Sequence, residues 1–239
     1  MKHGARVVER SEAAQGIAVL RLEKPEGYAF RAGQWCFLNL PDRGFGDDRG
    51  LRRHLSFASA PADDELVFAT KLSGSAFKQT LSRLEPGDEI GLEEPKGSFA
   101  LPEGTGTPLV FLAGGIGITP FRSLIRHVVQ QGTGHQIALL YSNRTPEEAV
   151  FLDDLTELCA GRPNLRFAAT MTRMGDSSRT WDGPTGRIGP DLVRAECPEW
   201  ERAVFLLSGP PPMVDAMAAS LGELGIPGDR VRTEKFSGY

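Results

Sequence analysis

Residues 111–121 read FLAGGIGITPF, and no other stretch limits the possible folds as much. An apolar, strand-like run over 108–113 stops at Gly114 and Gly115, passes through Gly117 and gives way to a helix-like segment at Thr119 and Pro120. Strand, glycine turn and helix N-terminus in that order let backbone N–H groups approach an anion such as a pyrophosphate. A side chain at the turn would forbid the backbone angles or hold the ligand away. Pro120 suits the first helical turn, where a missing N–H costs nothing. The spacing GGxGxTP differs from the dinucleotide fingerprint GxGxxG, so the stretch alone also fits a tight turn in an ordinary α/β unit.

The rhythm of the chain changes just before this stretch. From Ala5 to about Leu101, strand-like runs at 6–10, 17–22, 35–40, 55–59, 66–71 and 89–92 are separated by turns. Such spacing predicts an antiparallel barrel or sandwich. One helix over 75–84 sets Phe77, Leu81 and Leu84 at helical spacing and ends at the Pro86-Gly87-Asp88 turn. Past a flexible connector at 102–106, strands at 109–113, 136–141, 165–170 and 203–208 alternate with helices at 120–131, 146–159 and 212–224. Alternation of that kind predicts a parallel sheet covered on both faces. The expectation is two domains: an antiparallel β-barrel over 1–103 and a Rossmann-like α/β domain over 104–239.

Composition excludes several classes. A length of 239 residues, 40% hydrophobic and 24% charged, suits one large globular domain or two of ordinary size. Residues 1–105 carry 14 basic and 16 acidic side chains and the rest 13 and 15, for a net charge of −4 with no basic face. Nucleic acid is therefore not an expected partner. No run of about 18 apolar residues suggests a membrane span. The opening MKHGARVVER lacks the apolar core of a secretion signal, so a cytoplasmic location is expected. Cys36, Cys159 and Cys197 are odd in number and far apart, which fits a reducing compartment. Without CxxC spacing they offer no iron–sulfur or zinc ligand set, and no metal site is expected. Each is read as a small buried apolar residue.

Ligands of open α/β sheets sit beyond the carboxyl ends of the strands. Three such ends carry suggestive residues. The first has Gly114, Gly115, Gly117, Thr119 and Pro120. The second has Ser142 and Arg144, a hydroxyl and a guanidinium able to hold ribose or phosphate. The third has Ser208, Gly209, Pro210 and Met213, another glycine turn before a helix. Together these resemble the NAD(P)-binding domain of the ferredoxin–NADP reductase family. The first half resembles the same family independently. Arg53-His54-Leu55-Ser56 is similar to its flavin signature Arg-x-Tyr-Ser, and Phe30-Arg31-Ala32-Gly33-Gln34 to the strand before it. Gly97-Ser98-Phe99 resembles the loop that closes the barrel, and Glu234-Lys235-Phe236-Ser237-Gly238-Tyr239 the aromatic tail.

The resemblance implies an FAD-dependent oxidoreductase. Hydride would pass from NADPH or NADH to flavin N5, and electrons would leave to a separate one-electron acceptor such as a ferredoxin, since cluster-binding cysteines are absent. Two alternatives stay open: an NAD(P)H-dependent flavin or quinone reductase, and a flavin-carrying electron-transfer subunit without its own NAD(P)H turnover. Catalytic roles are implied for Ser56 at flavin N5, for Ser208 where many members have cysteine, and for Tyr239 covering the flavin. Arg53, His54, Leu55, Thr70, Lys71, Gly74, Ser75, Ala76, Thr119 and Phe236 join Ser56 and Tyr239 as the implied FAD site. The N–H groups after Gly74 would face the pyrophosphate. Gly114, Gly115, Gly117, Thr119, Pro120, Ser142, Arg144, Arg173, Gly209, Pro210 and Met213 form the implied NAD(P) site.

Plainer readings stand beside several of these. Ser56 could bond only to backbone, Thr70 and Lys71 could be ordinary strand positions, Arg144 could pair with Glu147 or Glu148, and Met213 could be core. Leu55 stands where the flavin signature has tyrosine. FAD is favoured over FMN by the phosphate helix and the tail. Ser142 and Arg144 permit a 2′-phosphate without requiring one. A monomer or weak homodimer is expected.

Overall fold

The computed structural model describes residues 3–236. Its first sheet contains β1 (His3–Ala14), β2 (Ile17–Glu23), β3 (Trp35–Asn39), β4 (Arg52–Ser56), β5 (Glu65–Lys71) and β6 (Glu89–Leu92). They pair antiparallel in the order β4-β3-β6-β1-β2-β5. The two edges meet just past β4, where the Ala58 N–H donates to the Val67 carbonyl at 2.7 Å and curls the sheet into a barrel. Alternation fills the interior: in β3, Cys36 and Leu38 are buried, whereas Trp35, Phe37 and Asn39 are only half-buried. Inside, Phe57 stacks on Phe30 at 4.0 Å and tilts against Phe68 at 5.1 Å. The helix α1 (Ala76–Leu81) adds Phe77 and Leu81, one turn apart, to that core.

The second sheet contains β7 (Leu109–Gly114), β8 (Ile137–Asn143), β9 (Leu165–Met171), β10 (Val204–Gly209) and β11 (Val231–Lys235), all parallel in the order β11-β10-β7-β8-β9. Its connections carry α2 (Ile118–Gln131), α3 (Leu152–Cys159), α4 (Pro190–Glu196) and α5 (Pro211–Glu223). Every residue of β7 and β8 is buried, as expected of strands covered on both faces. From β7 the chain steps outward to β8 and β9, then returns to lay β10 on the other side of β7. The switch point of the sheet therefore lies between β7 and β10.

The predicted class, an antiparallel barrel-like unit followed by a helix-covered parallel sheet, is the architecture found. Four local differences have physical causes. β1 extends past residue 10 because its polar second half pairs with β2 across a turn at Gly16, which takes φ +69°. The helix expected over 146–159 is a 3₁₀ turn (Pro146–Glu148) and then α3, since Phe151 between them adopts φ +61°. The helix α4 buries only Val193, and β11, an edge strand reading VRTEK, has no buried residue, so neither shows a periodic apolar signal. All three cysteines are buried, and burial pushes the thiols of Cys36, Cys159 and Cys197 up to about 12, 11 and 12. No helix among the described residues is long and apolar enough to cross a membrane.

One apolar core joins the two sheets. Ile17, Val19, Ala69 and Phe99 from the strand-rich half pack with Phe111, Phe121 and Leu124 from the other. Phe121 stacks on Phe111 at 4.7 Å and tilts against Phe99 at 5.5 Å. Gly33 is required under this joint: its φ is +86°, and a Cβ there would sit 1.9 Å from the Phe99 carbonyl oxygen. Phe121→Ala is expected to cost about 3–5 kcal/mol of unfolding free energy, measured by urea denaturation. A cost below about 1 kcal/mol would show that the halves are not joined through this ring.

Candidate active site

A cleft of about 650 Å³ opens beyond the carboxyl ends of β7, β8 and β10, and Ile17 and Lys71 reach into its wall from the barrel. Of the residues expected at an NAD(P) site, Gly115, Ser142, Arg144, Pro210 and Met213 line it. Lys71, expected beside the flavin, lines it as well and lies 3.8 Å from the Glu148 carboxylate. Gly115 takes φ +50°, so the turn itself forms part of the wall. The neighbouring glycines have a packing reason. A Cβ on Gly114 would meet the Met213 sulfur at 2.2 Å, and one on Gly117 would meet the Ser208 carbonyl oxygen at 2.3 Å. Gly209 takes φ +155° against the backbone of Gly114. The β7 and β10 turns are thus pressed backbone to backbone. Thr119 is 2% exposed and its hydroxyl donates to the Ile116 carbonyl at 3.1 Å. With Pro120 buried beside it, Thr119 holds the turn from within.

Arg173 is exposed, and its N–H donates to the Arg144 carbonyl at 2.8 Å. Arg187, which no motif singles out, lines the cleft. It sits in the loop 172–189, and Glu147 anchors that loop. The Glu147 carboxylate accepts the Ser178 and Arg179 N–H groups at 3.0 and 3.1 Å and the Ser177 and Ser178 hydroxyls at 2.9 and 3.0 Å. Desolvation raises its pKa, but the backbone and hydroxyl donors outweigh that and hold it at about 2. With Glu147 committed to this loop and Glu148 to Lys71, neither takes up Arg144 in the pairing considered as the plainer reading.

The barrel carries Arg53, His54, Leu55 and Ser56 on β4 and Gly74, Ser75 and Ala76 at the start of α1, seven of the residues expected around a flavin. Ser56 ends β4, 6% exposed and opposite Trp35 in the register. Leu55, opposite Cys36, fills the barrel interior. His54 is exposed between the rings of Trp35 and Phe37, at 5.2 and 5.8 Å, and desolvation followed by the Arg53 charge lowers its pKa. Arg53 Nη1 donates to the carbonyls of Arg49 and Arg52, each at 2.7 Å. Its buried Nη2 has no hydrogen-bond partner and lies 3.9 Å from the Asp47 carboxylate. Asp47 also accepts the Ala76 N–H at 2.8 Å, the main reason its pKa is lowered. Gly74 and Ser75 lead into α1, where the Ser75 carbonyl accepts the N–H groups of Lys78 and Gln79.

Lys78, 6% exposed, was not anticipated. Burial first, then the charges of Arg53 and Lys71, bring its pKa down to about 8. The Thr70 hydroxyl is buried without a partner. The rim thus holds two buried donors without an acceptor, Arg53 Nη2 and the Thr70 hydroxyl, with the Asp47 carboxylate 3.9 Å from the first. A buried donor left unmade costs about 1–3 kcal/mol, and a phosphate anion is its natural complement.

Where β10 and β11 end, two further polar groups are buried without hydrogen-bond partners: the Ser208 hydroxyl and Glu234 Oε2. The two residues are in register and so share a face of the sheet. Burial pushes the Glu234 carboxyl from 4.5 up to about 7. Phe236 is buried, and its N–H donates to the Gly209 carbonyl at 2.9 Å. Tyr239 lies outside the described residues. The sequence alone singled out none of Asp47, Lys78, Glu147 and Arg187 as a site residue. Glu234 figured only as part of the tail.

The family described as "Oxidoreductase NAD-binding domain" matches residues 111–219. Over 247 residues the chain is 33% identical to ferredoxin–NADP reductase B of Sorangium cellulosum, covering 97% of this chain and 96% of that protein. It is 34% identical over 246 residues to the reductase component of propane 2-monooxygenase of Rhodococcus jostii, covering 97% of this chain. The chain spans 63% of the length of that relative. The fold superposes on a ferredoxin NADP+ reductase from Neisseria gonorrhoeae, crystallised with FAD and NADP, with a TM-score of 0.80, 24% identity and 98% of both chains covered.

Glu234 yields a pH prediction. Its folded pKa lies above the ordinary value, so the folded state holds the proton more tightly than the unfolded chain does. Its contribution to stability is full below about pH 4.5 and is lost as pH rises through about 7. Glu234→Gln should remove that slope, leaving the variant more stable than wild type by about 3 kcal/mol above about pH 8 but not below about pH 4.5. Urea midpoints across this range check it, and equal slopes for the two proteins would contradict it.

Proposed function

The chain belongs to the ferredoxin–NADP reductase family of NAD(P)H-dependent flavoprotein oxidoreductases, and from that premise we propose that it oxidises NADPH through bound FAD and delivers the electrons to a separate one-electron acceptor protein. When bound, FAD supplies hydride acceptance at N5 and one-electron release. The observation that carries the reading is the position of the 650 Å³ cleft: at the switch point of the parallel sheet, with the barrel's own residues in its wall. A coenzyme bound there is brought to the barrel.

The chain's residues divide the work. The Arg53 guanidinium, the Lys78 ammonium and the Ala76 N–H suit the FAD phosphates, with the Asp47 carboxylate standing in for that anion. The Ser56 hydroxyl, at the end of the flavin signature, serves N5. Gly115 admits the coenzyme close to backbone, and Met213 and Pro210 bound it from the opposite turn. Arg144 and Arg187 put two guanidiniums beside Ser142, which supports a 2′-phosphate and hence NADPH over NADH. Glu234, with a pKa near neutrality, and the Ser208 hydroxyl hold a proton at the buried end of the strands. Ferredoxins and the oxygenases served by such reductases are the acceptor class.

The test is steady-state oxidation of NADPH and of NADH by the FAD-reconstituted protein, with ferricyanide, a ferredoxin, free flavin and a quinone as separate acceptors. A yellow protein that reduces ferricyanide and ferredoxin with NADPH is expected. Absence of flavin bands after reconstitution, or flavin without coenzyme oxidation, would overturn the proposal. Arg187→Ala should raise KM for NADPH about tenfold and leave that for NADH unchanged. Arg53→Ala should weaken FAD binding at least about tenfold in equilibrium dialysis. Equal KM changes for the two coenzymes would remove Arg187 from the 2′-phosphate role.

A further inference from the structure

We propose that Arg122 is the positioning residue that fixes how closely the Ser56 strand approaches the glycine turn of the coenzyme cleft. The inference rests on the reading that flavin and coenzyme meet at this seam. Arg122 lies one turn into α2, just past the Gly115–Gly117 turn, and is 8% exposed. Its three nitrogens reach two other elements. Nη1 donates to the Ala58 carbonyl at 2.7 Å, two residues beyond Ser56. Nε and Nη2 donate to the two carboxylate oxygens of Asp154 on α3 at 2.9 and 3.0 Å. One rigid plane thereby ties together the end of the flavin strand, the start of α2 and the first turn of α3.

The Phe151 ring lies 4.5 Å from the guanidinium. Phe151 is the only non-glycine residue with positive φ among those described. Backbone strain of that kind persists where the surroundings over-determine it. Here it starts α3 beside Arg122, in reach of the Asp154 fork.

Two further residues of α2 hold the same segment of the barrel. Arg126 forks onto Asp63 at 3.0 and 2.7 Å, and Gln130 donates to Asp63 at 2.6 Å. At spacings of four, Arg122, Arg126 and Gln130 form one stripe against the strap 58–63 between β4 and β5. The two roles differ. Arg126 and Gln130 attach the far end of the strap at a part-exposed site, and their loss should cost stability. Arg122 acts at the end next to Ser56, and its side chain is 10% exposed against 28% for Arg126. A buried guanidinium carries a desolvation cost that an apolar chain of similar volume avoids. What such a chain lacks is three directed bonds that hold three backbones in fixed register. Hydride transfer is steep in distance and alignment, so that loss should appear in the rate.

The experiment compares Arg122→Met, Arg122→Lys, Asp154→Asn and Arg126→Met in the FAD-loaded protein. Three quantities are read: the rate of flavin reduction at saturating NADPH, the charge-transfer absorbance formed with NADP+, and the NADP+ Kd. For Arg122→Met we expect at least about a tenfold slower reduction and a weakened charge-transfer band, with Kd within about twofold of wild type. Arg122→Lys should recover part of both. Asp154→Asn, which keeps the Ala58 bond, should fall between, and it carries the test if Arg122→Met does not fold. Arg126→Met should lower thermal stability and leave the charge-transfer band intact.

A wild-type rate and band in Arg122→Met would overturn the proposal, and so would an equal loss in Arg126→Met. Amide hydrogen exchange on the flavin-free protein separates this inference from the functional reading beneath it. Arg122→Met should speed exchange in 58–60 and 116–119 together, whatever the coenzyme assay shows. Unchanged protection in both segments would refute the positioning role even in an active enzyme.

Discussion

A run of three aromatic rings, Phe99 beside Phe121 on Phe111, passes from the rim of the barrel into the parallel sheet, and the geometry of the candidate site depends on it. Apolar burial is strong but non-directional, so the rings set that the two sheets stay together and not their angle. Direction comes from the polar groups around the stack. Gly33 lets the barrel backbone pass under Phe99, the Gln15 N–H donates to the Glu147 carbonyl at 2.8 Å, and the guanidiniums of α2 fork onto Asp154 and Asp63. Nonspecific attraction and directed bonds together make a seam rigid enough to present two ligands to each other.

Charge around that seam is uneven in a way the net charge of −4 conceals. Acidic residues on the coenzyme side are spoken for: Glu147 by the loop 172–189 and Glu148 by Lys71. Basic residues gather on both sides of the seam. Arg144 and Arg187 line the cleft, and Arg53 and Lys71 lie close enough to Lys78 to add to the lowering of its pKa by burial. Arg53 Nη2 and the Thr70 hydroxyl are buried donors without an acceptor, and a ligand that supplies one recovers that cost. Asp47 softens the cost at the α1 end by lending its carboxylate to Ala76.

Much of the fold was legible in the residues because burial is periodic. Leu109–Gly114 and Ile137–Asn143 are continuous apolar runs since both their faces are covered, and β3 alternates since only one of its faces is. Elements without that signature could not be read. β11 lies at an edge and needs no apolar face, and α4 is short with one buried residue. The break at Phe151, whose ring lies 4.5 Å from the Arg122 guanidinium, has no local sequence pattern to announce it.

The site was legible where backbone geometry demands a residue type. Gly115 and the turns at Ser142 and Pro210 stand in the cleft wall. Gly114 and Gly117 are small for a different reason, the close packing of one turn on another. Arg187 and Lys78 were silent because a cation in a loop or on a helix face looks the same in sequence whether it is solvated or buried. Leu55 shows the reverse: its departure from the tyrosine of the signature is plain in sequence, and the structure turns it into the barrel core.

The most direct measurement is a crystal structure of the protein with FAD and NADP+ both bound. The flavin ring should lie beside Ser56, its phosphates in place of the Asp47 carboxylate at Ala76 and Arg53, with the nicotinamide entering past Gly115 onto that ring. A structure with Asp47 still seated on Ala76 and the coenzyme held away from the barrel would contradict this arrangement.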